Sequence, residues 1–216
     1  MPKSRILIVD EHPLVRRGLS ALIAAEADLE ICGETGNEGE ALELAATMAP
    51  DLAIIDIALA ENGDGLDLIK RLHLRDRNFK ILVCSVYDEA LFAPRALAAG
   101  ARGYISKKEA TVCVVDAIRR VLHGDYFVSD HLAQRTFLEI SRRGADILDP
   151  LSSLSNRELQ IYRLVGAGAG TSEIAEQLHL SVKTVESHKA RIKKKLKLGS
   201  ASELMRHAMQ WSNHEV

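Results

Sequence analysis

Short apolar runs alternate with helical patterns through residues 5–123, and this alternation limits the fold more than any other feature of the sequence. Each run is five or six residues long, which suits a buried parallel strand better than a helix. The predicted strands are 5–10, 29–34, 52–56, 80–85 and 102–106, and the predicted helices are 13–25, 37–48, 65–74, 89–99 and 110–123. The chain therefore begins with five consecutive strand–helix units.

Parallel strands that are joined by helices require right-handed crossovers, so the helices cover both faces of the sheet. The common solution at this size is a flavodoxin-like (βα)5 fold with the strand order 2-1-3-4-5. This order places the first strand beside the third. Ligands of such sheets bind at the carboxyl ends of the strands, so the residues that follow the strands are the candidates for a site.

Acidic residues follow two of these strands. Asp10 and Glu11 come after the first apolar run, and Asp56 ends the third. Each acid alone is equally well explained as a solvated loop residue. Brought together by adjacent strands, however, three carboxylates repel one another unless a cation neutralises them, and oxygen ligands suit Mg²⁺. Their joint placement therefore predicts a magnesium site at this edge of the sheet.

The two remaining strand ends add a hydroxyl group and an ammonium group. Ser85 ends the fourth strand, and Lys107 follows the fifth. A carboxylate nucleophile, a cation site, a hydroxyl donor and a lysine are the groups needed to move a phosphoryl group onto Asp56. We therefore predict phosphoryl transfer to Asp56.

Residues 4–123 resemble the receiver domains of two-component response regulators. The resemblance rests on Asp10 and Glu11, on Asp56, and on the segments 85–89 and 98–107. It implies that Asp56 accepts a phosphoryl group from a histidine kinase and that Ser85 and Lys107 bind this group. It also implies that Tyr104 changes rotamer when Ser85 moves inward.

The same resemblance implies a set of magnesium ligands and exposes one departure from the family pattern. The implied ligands are the side chains of Asp10, Glu11 and Asp56 and the backbone carbonyl of Ala58. In the loop 60–65, Ala60 stands where the family usually has proline, and one extra residue is present. The insertion follows Ala58, so we expect metal binding to survive, whereas the resemblance no longer predicts the rigidity of the loop or the docking of a kinase.

Two alternatives to a receiver that is switched by phosphorylation at Asp56 remain at this point. The altered loop is compatible with a receiver that works as a phosphorylation-independent interaction module. A phosphatase of the haloacid dehalogenase type would also use an aspartate nucleophile, but it would need a second Asp at the position that Ala58 occupies. We therefore disfavour the phosphatase.

Composition indicates two parts with different partners. Residues 151–216 hold ten Lys and Arg against six Asp and Glu, whereas the preceding residues hold 18 against 24. The three cysteines show no CxxC spacing, and no apolar run reaches the length of about 20 residues that crosses a membrane. The chain enters its first strand without room for a signal peptide. We expect a soluble, cytoplasmic protein without membrane contact.

The basic part contains four short helical patterns. Capping boxes at Ser155 and Ser200 open the first and the last, Ser181 caps the third, and the third carries a basic face. Together they predict an all-α helix-turn-helix domain. We expect a receiver over 1–127, a linker with one helix from Ser129 or Asp130 over 128–150, and a DNA-binding domain over 151–216.

Residues 154–211 resemble the LuxR-type helix-turn-helix, through the segments 154–158, 171–175, 181–188 and 191–196. The implied base-edge contacts are Glu186, Ser187 and Ala190, and the implied phosphate contacts are Lys183, Thr184, Lys189, Arg191, Lys193 and Lys194. Combined with the receiver, this resemblance indicates the NarL/FixJ subfamily of response regulators.

The two resemblances together imply a transcription regulator rather than an enzyme, with at most slow self-phosphorylation and self-dephosphorylation at Asp56. The implied partners are a sensor histidine kinase and double-stranded promoter DNA, and RNA polymerase is a candidate partner. The implied active form is a homodimer, when the protein is phosphorylated or bound to DNA.

Overall fold

The computed structural model describes residues 2–59, 63–130, 132–134 and 150–213. They belong to two compact units, which lie within Met1–Arg142 and Arg143–Val216. Each unit is described by itself below.

The first unit is built on a five-stranded parallel sheet, as the alternating pattern predicts. Its strands are β1 (Ser4–Val9), β2 (Leu29–Thr35), β3 (Leu52–Ile55), β6 (Lys80–Ser85) and β7 (Gly103–Ser106). They are arranged in the order β2-β1-β3-β6-β7, which confirms the predicted order 2-1-3-4-5. The helices between them are α1 (Pro13–Ala24), α2 (Glu38–Thr47), α3 (Gly65–Arg75), α4 (Glu89–Ala99) and α5 (Ala110–His123).

The centre of the sheet fixes the position of the two key acids. All of Ile6–Val9 and Leu52–Ile55 is at most 1% exposed, because both faces of these strands are covered by helices. The pairing runs from Ile6 opposite Leu52 to Val9 opposite Ile55. Since the two strands end level with each other, the residues that follow them, Asp10 and Asp56, emerge side by side.

Several helix ends follow the sequence signals. Pro13 occupies the first turn of α1, and Asn37 caps α2 by accepting from the backbone N–H groups of Gly39 and Glu40. Gly100 ends α4 with φ +117°, a left-handed conformation that glycine adopts at little cost. All three residues therefore lie at the helix positions that their residue types favour.

The altered loop after Asp56 contains a small antiparallel pair. β4 (Ala58–Leu59) pairs with β5 (Gly63–Asp64), and the intervening residues 60–62 lie outside the described ranges. Asp64 then caps α3 by accepting from the backbone N–H of Leu66 at 2.9 Å. Within the part of the loop that is described, two short strands and a helix cap hold the chain in place.

Part of the predicted linker is also described. Ser129 Oγ accepts from the backbone N–H of Leu132 at 3.1 Å, and residues 130 and 132–134 are helical. Of the two candidate caps, Ser129 is therefore the one that accepts a hydrogen bond from the start of this helical segment, and the extent of the predicted helix stays a prediction. The rest of that helix, and the linker up to residue 149, lie outside the described residues, and Pro150–Ser153 forms a 3₁₀ turn.

The second unit consists of short helices, as predicted. They are α6 (Asn156–Gly166), α7 (Thr171–Gln177), α8 (Val182–Leu196) and α9 (Ala201–Asn213). Ser155 and Glu158 form the expected reciprocal capping box. Ser181 caps α8 by accepting from the backbone N–H of Thr184 at 3.1 Å. The core includes Leu159, Tyr162, Val185, Ile192 and Leu204, each at most 1% exposed.

The sequence pattern is wrong about one core position. The helical spacing of the apolar residues of α8 predicts that all of them face the core, namely Val182, Val185, Ile192 and Leu196. Val182, however, is 49% exposed. Val182 is the first residue of α8, so its side chain extends beyond the part of the helix that packs on the rest of the unit. Helical spacing predicts the buried face but not how far along the helix the packing reaches.

We expect Gly65→Ala to lower the free energy of unfolding by about 2 kcal/mol or more. A Cβ atom at this position would overlap the backbone carbonyl oxygen of Asp56 and would lie 2.8 Å from Ile57 Cα. Gly18→Ala is the matched control, because a Cβ atom there meets nothing within 4 Å. In the exposed middle of α1, it should raise the free energy of unfolding by about 0.5–1 kcal/mol.

Urea unfolding of both variants measures this difference. Equal stability of Gly65→Ala and the wild-type protein would contradict the close approach of α3 to the end of β3.

Candidate functional site

The candidate site of the first unit centres on two buried carboxylates and one lysine. Asp10 and Asp56 are 2% and 1% exposed. Lys107 Nζ lies 2.6 Å from Asp10 Oδ2 and 2.6 Å from Asp56 Oδ2. The structure therefore brings together three residues that the sequence places 46 and 51 positions apart.

The backbone positions each of these groups. Asp56 donates its N–H to the carbonyl of Val9 at 2.8 Å, and Asp10 donates to the carbonyl of Thr35 at 2.9 Å. Lys107 donates its N–H to the carbonyl of Ser85 at 2.8 Å, which extends the pairing of β6 and β7 by one step. The three side chains leave the same edge of the sheet because the strands before them are hydrogen-bonded in register.

Burial and charge act in opposite directions on these groups. Burial raises the pKa of Asp56, and the nearby Asp10 raises it further, while Lys107 and the hydroxyl of Ser85 lower it. The net pKa of Asp56 lies above its ordinary value. Burial lowers the pKa of Lys107, but attraction to Asp56 and hydrogen bonds to both carboxylates outweigh burial, so its pKa is raised. The lysine therefore stays charged, and one positive charge faces two carboxyl groups.

One oxygen of Asp56 is available for a ligand. Asp56 Oδ1 is buried and makes no hydrogen bond of normal geometry within the described ranges. Burying such an atom without a partner is costly. A hard divalent cation fits this chemistry, because it binds carboxylate oxygens and would supply the missing interaction.

The possible metal-binding group differs in composition from the predicted one. Ligand atoms of Asp10, His12 and Asp56 lie within 4.8 Å of one another. Glu11, a predicted ligand, does not belong to this group among the residues described. Ala58, the first residue of β4, lies two positions after Asp56 in the chain. The structure thus brings Asp10 and Asp56 together, and the ligand roles of Glu11 and Ala58 stay predictions.

The surroundings of Asp10 contain contacts that the sequence analysis missed. The backbone N–H of His12 donates to Asp10 Oδ1 at 2.9 Å, and Arg16 Nη1 donates to the Asp10 carbonyl at 2.6 Å. An aspartate that accepts from the N–H two residues later is a common turn, so Asp10 and His12 carried a usable signal. The Arg16 contact depends on the packing of α1 and had no such signal.

Ser85 and Tyr104 lie beside the carboxylates and are fully buried. Ser85 Oγ accepts from the backbone N–H of Tyr87 at 3.4 Å, and the hydroxyl of Tyr104 donates to the Tyr87 carbonyl at 2.9 Å. Burial raises the pKa of Tyr104, so this hydroxyl remains a donor. Both predicted residues therefore contact the same segment after β6.

The predicted DNA-contacting residues lie on α8, with unequal exposure. Lys183, Glu186, Ser187, Ala190, Arg191 and Lys194 are exposed, whereas Thr184, Lys189 and Lys193 are partly buried. The side chain of Lys189 is only 19% exposed.

Lys195, which was not predicted to contact DNA, binds the buried carboxylate of Glu158 at 2.6 Å. Burial raises the pKa of Glu158, but hydrogen bonds from Lys195 and the Ser155 backbone outweigh it, and the net pKa is lowered.

None of the helices in the described ranges has the length and apolar character of a membrane-crossing segment.

Two family models match the chain. Residues 6–119 match the response regulator receiver domain, and residues 152–208 match the bacterial regulatory proteins of the luxR family. The Fimbriae Z protein of Salmonella typhimurium is 36% identical over 219 residues, with 100% of both chains covered. The oxygen regulatory protein NreC of Staphylococcus carnosus is 33% identical over 210 residues, covering 95% of this chain and 97% of its own.

Solved structures agree on the fold. The RcsB response regulator of Salmonella typhimurium superposes with a TM-score of 0.65 at 22% identity, covering 97% of this chain and 98% of its own. RcsB has also been solved as two dimers bound to two parallel DNAs, with a TM-score of 0.59 at 22% identity over 94% and 97% of the chains. The family matches, the relatives and the sheet order lead to one conclusion: this chain belongs to the response regulators that join a receiver domain to a LuxR-type DNA-binding domain.

Proposed function

We propose that this regulator is switched by Mg²⁺-dependent phosphorylation of Asp56, with a histidine kinase as the donor. The observation that carries the proposal is the position of Lys107 Nζ, 2.6 Å from both Asp10 and Asp56. Beside it lies Asp56 Oδ1, which has no hydrogen-bond partner among the residues that the structure describes. This arrangement combines a nucleophile with a fixed positive charge at the place where a phosphoryl group would arrive.

In the proposed reaction, an oxygen of Asp56 forms a bond to phosphorus while the bond between phosphorus and the donor's histidine nitrogen breaks. Lys107 and Ser85 bind the oxygens of the transferred group. Asp10, Glu11, Asp56 and the Ala58 carbonyl would hold Mg²⁺, which supplies positive charge against the negative charge that gathers during transfer. The remaining contribution to the transfer is that the strand ends hold these side chains in position.

The switch that follows runs through Ser85 and Tyr104. The acyl phosphate attracts the Ser85 hydroxyl, which now contacts the Tyr87 backbone N–H. We infer that this movement favours the buried rotamer of Tyr104, whose hydroxyl is bonded to the Tyr87 carbonyl. Phosphorylation would then shift an existing equilibrium of the face formed by α4, β7 and α5 rather than create a new fold.

The output of the switch is DNA binding. We propose that the phosphorylated protein binds promoter DNA as a homodimer through α8 and that RNA polymerase is a further partner. The solved RcsB dimers on DNA support this proposal for a chain with the same fold. We further propose a division into a receiver (1–127), a linker (128–150) and a DNA-binding domain (151–216). We also propose a cytoplasmic location, because the protein can meet both a kinase and the chromosome there.

We expect incubation with Mg²⁺ and a small acyl-phosphate donor to add one phosphoryl group to the wild-type protein and none to Asp56→Asn. The amide of Asn cannot act as the nucleophile. Asp51→Asn is the matched control, because Asp51 lies before β3 and accepts from the backbone N–H of Arg5. It should be modified like the wild-type protein. Intact mass, with and without a chelator, measures the adduct.

An adduct on Asp56→Asn would place the acceptor elsewhere. If neither acyl phosphate nor histidine kinases modified the wild-type protein, the receiver would be the phosphorylation-independent interaction module.

We expect Lys193→Ala/Lys194→Ala to weaken binding to every DNA sequence and to reduce the slope of log affinity against log salt by about 2, because each phosphate contact contributes about 0.9. Arg206→Ala is the control, since it removes an exposed positive charge from α9 instead of α8. Its slope should stay close to the wild-type value. Titrations of duplex DNA at several salt concentrations measure both variants, and an unchanged slope for the double variant would refute the phosphate contacts.

A further inference from the structure

We propose that Thr171 and Lys189 are positioning residues that hold the carboxylate of Glu186 for reading a base, and that Lys189 is not a phosphate contact. The inference rests on the proposed binding of DNA through α8. It deepens that proposal by assigning the specificity of the helix to one prearranged hydrogen-bond acceptor and to the two side chains that fix it.

The three side chains form a connected group between two helices. The hydroxyl of Thr171, at the start of α7, donates to Glu186 Oε1 at 2.9 Å. Lys189 Nζ donates to the same hydroxyl at 2.8 Å and lies 3.8 Å from Glu186 Oε1. A threonine hydroxyl has one hydrogen to donate and lone pairs to accept, so both bonds can exist at once.

The side chain that we propose contacts the base is more exposed than the lysine that positions it. The side chain of Glu186 is 59% exposed, whereas that of Lys189 is 19% exposed. Thr171 binds Oε1, and within the described part of this unit no hydrogen bond to Oε2 is present, so Oε2 can accept from an outside donor. The amino groups that bases present in the major groove are such donors, and a glutamate accepts well from the amino group of cytosine.

The positive charge of Lys189 also makes it easier for the Glu186 carboxylate to approach DNA. A carboxylate that approaches DNA is repelled by the phosphates, and the ammonium group beside it offsets that repulsion locally. An ion pair at the surface with one exposed partner and a separation of 3.8 Å contributes little to stability by itself. Its effect is to restrict the side chain of Glu186 to one orientation and to make the approach to DNA less unfavourable.

The position of Glu186 along the helix suits this role. Glu186 is the fifth residue of α8, which begins at Val182, and the amino-terminal part of a recognition helix is the part that contacts base edges. Lys193 and Lys194 lie in the last turn. The lysines of α8 therefore have different roles: Lys189 orients an acceptor, Lys195 pairs with Glu158, and the lysines of the last turn at 193 and 194 remain for the phosphates.

Selection from a random duplex library, using the full chain after treatment with Mg²⁺ and acyl phosphate, tests this inference. The wild-type protein should select a site, and Glu186→Ala should identify the base pair that Glu186 reads. Glu186→Gln should shift the preference there from cytosine towards adenine, because an amide pairs with adenine. Thr171→Val should reduce the wild-type preference by about tenfold, and Thr171→Ser, which keeps the hydroxyl, should retain it.

A salt titration separates the two roles of lysine. Lys189→Met keeps the length of the side chain, and it should reduce the preference as Thr171→Val does while changing the salt slope by less than half as much as Lys193→Ala. Thermal unfolding of each variant checks that the unit is folded.

The outcomes are distinct. If Thr171→Val kept the preference within about twofold, or if Lys189→Met changed only the salt slope, this inference would be overturned while DNA binding stood. If the wild-type protein selected no sequence, the proposed reading of DNA by α8 and this inference would both fail.

Discussion

The pairing of β1 with β3 imposes the central electrostatic constraint of this molecule. Because Val9 lies opposite Ile55, Asp10 and Asp56 must emerge side by side in a buried place, with ligand atoms within 4.8 Å. Two like charges at that distance repel by about 3.5 kcal/mol at an effective dielectric constant of 20. Lys107, delivered by the end of β7, lies close enough to both carboxylates to offset this repulsion. One positive charge against two ionised carboxylates still leaves the cluster with a net negative charge, which suits a further cation.

The same constraint explains why the neighbourhood can respond to a change of charge. Ser85 and Tyr104 are fully buried, yet both are tied to the short segment at Tyr87 rather than to the sheet alone. A negatively charged group on Asp56 would attract the hydrogen of the Ser85 hydroxyl, which can donate while its oxygen accepts from Tyr87. Tyr104 is bonded to the same segment. On the other side of Asp56, the backbone of Gly65 packs so closely against the Asp56 carbonyl that a larger residue would not fit.

In the second unit, residues of one type carry out different tasks. Lys195 neutralises the buried Glu158, which is also part of the capping box of α6. Lys189 is held by Thr171 and lies near Glu186. Lys183 and Lys194 are exposed. A basic helix is therefore not a uniform electrostatic surface, and its net charge overstates the number of cations that can reach a phosphate.

The sequence by itself determined the sheet, its strand order, the edge where Asp10, Asp56, Ser85 and Lys107 gather, and most helix ends, because these depend on local periodicity and on the few ways of connecting parallel strands. Only the tertiary structure decided the exposure of Val182 and the partners of Lys189 and Lys195. These features join residues that are far apart along the chain or depend on how far one helix packs on another. A local pattern carries no information about such contacts, so identical lysines on one helix acquire their different roles only when the chain has folded.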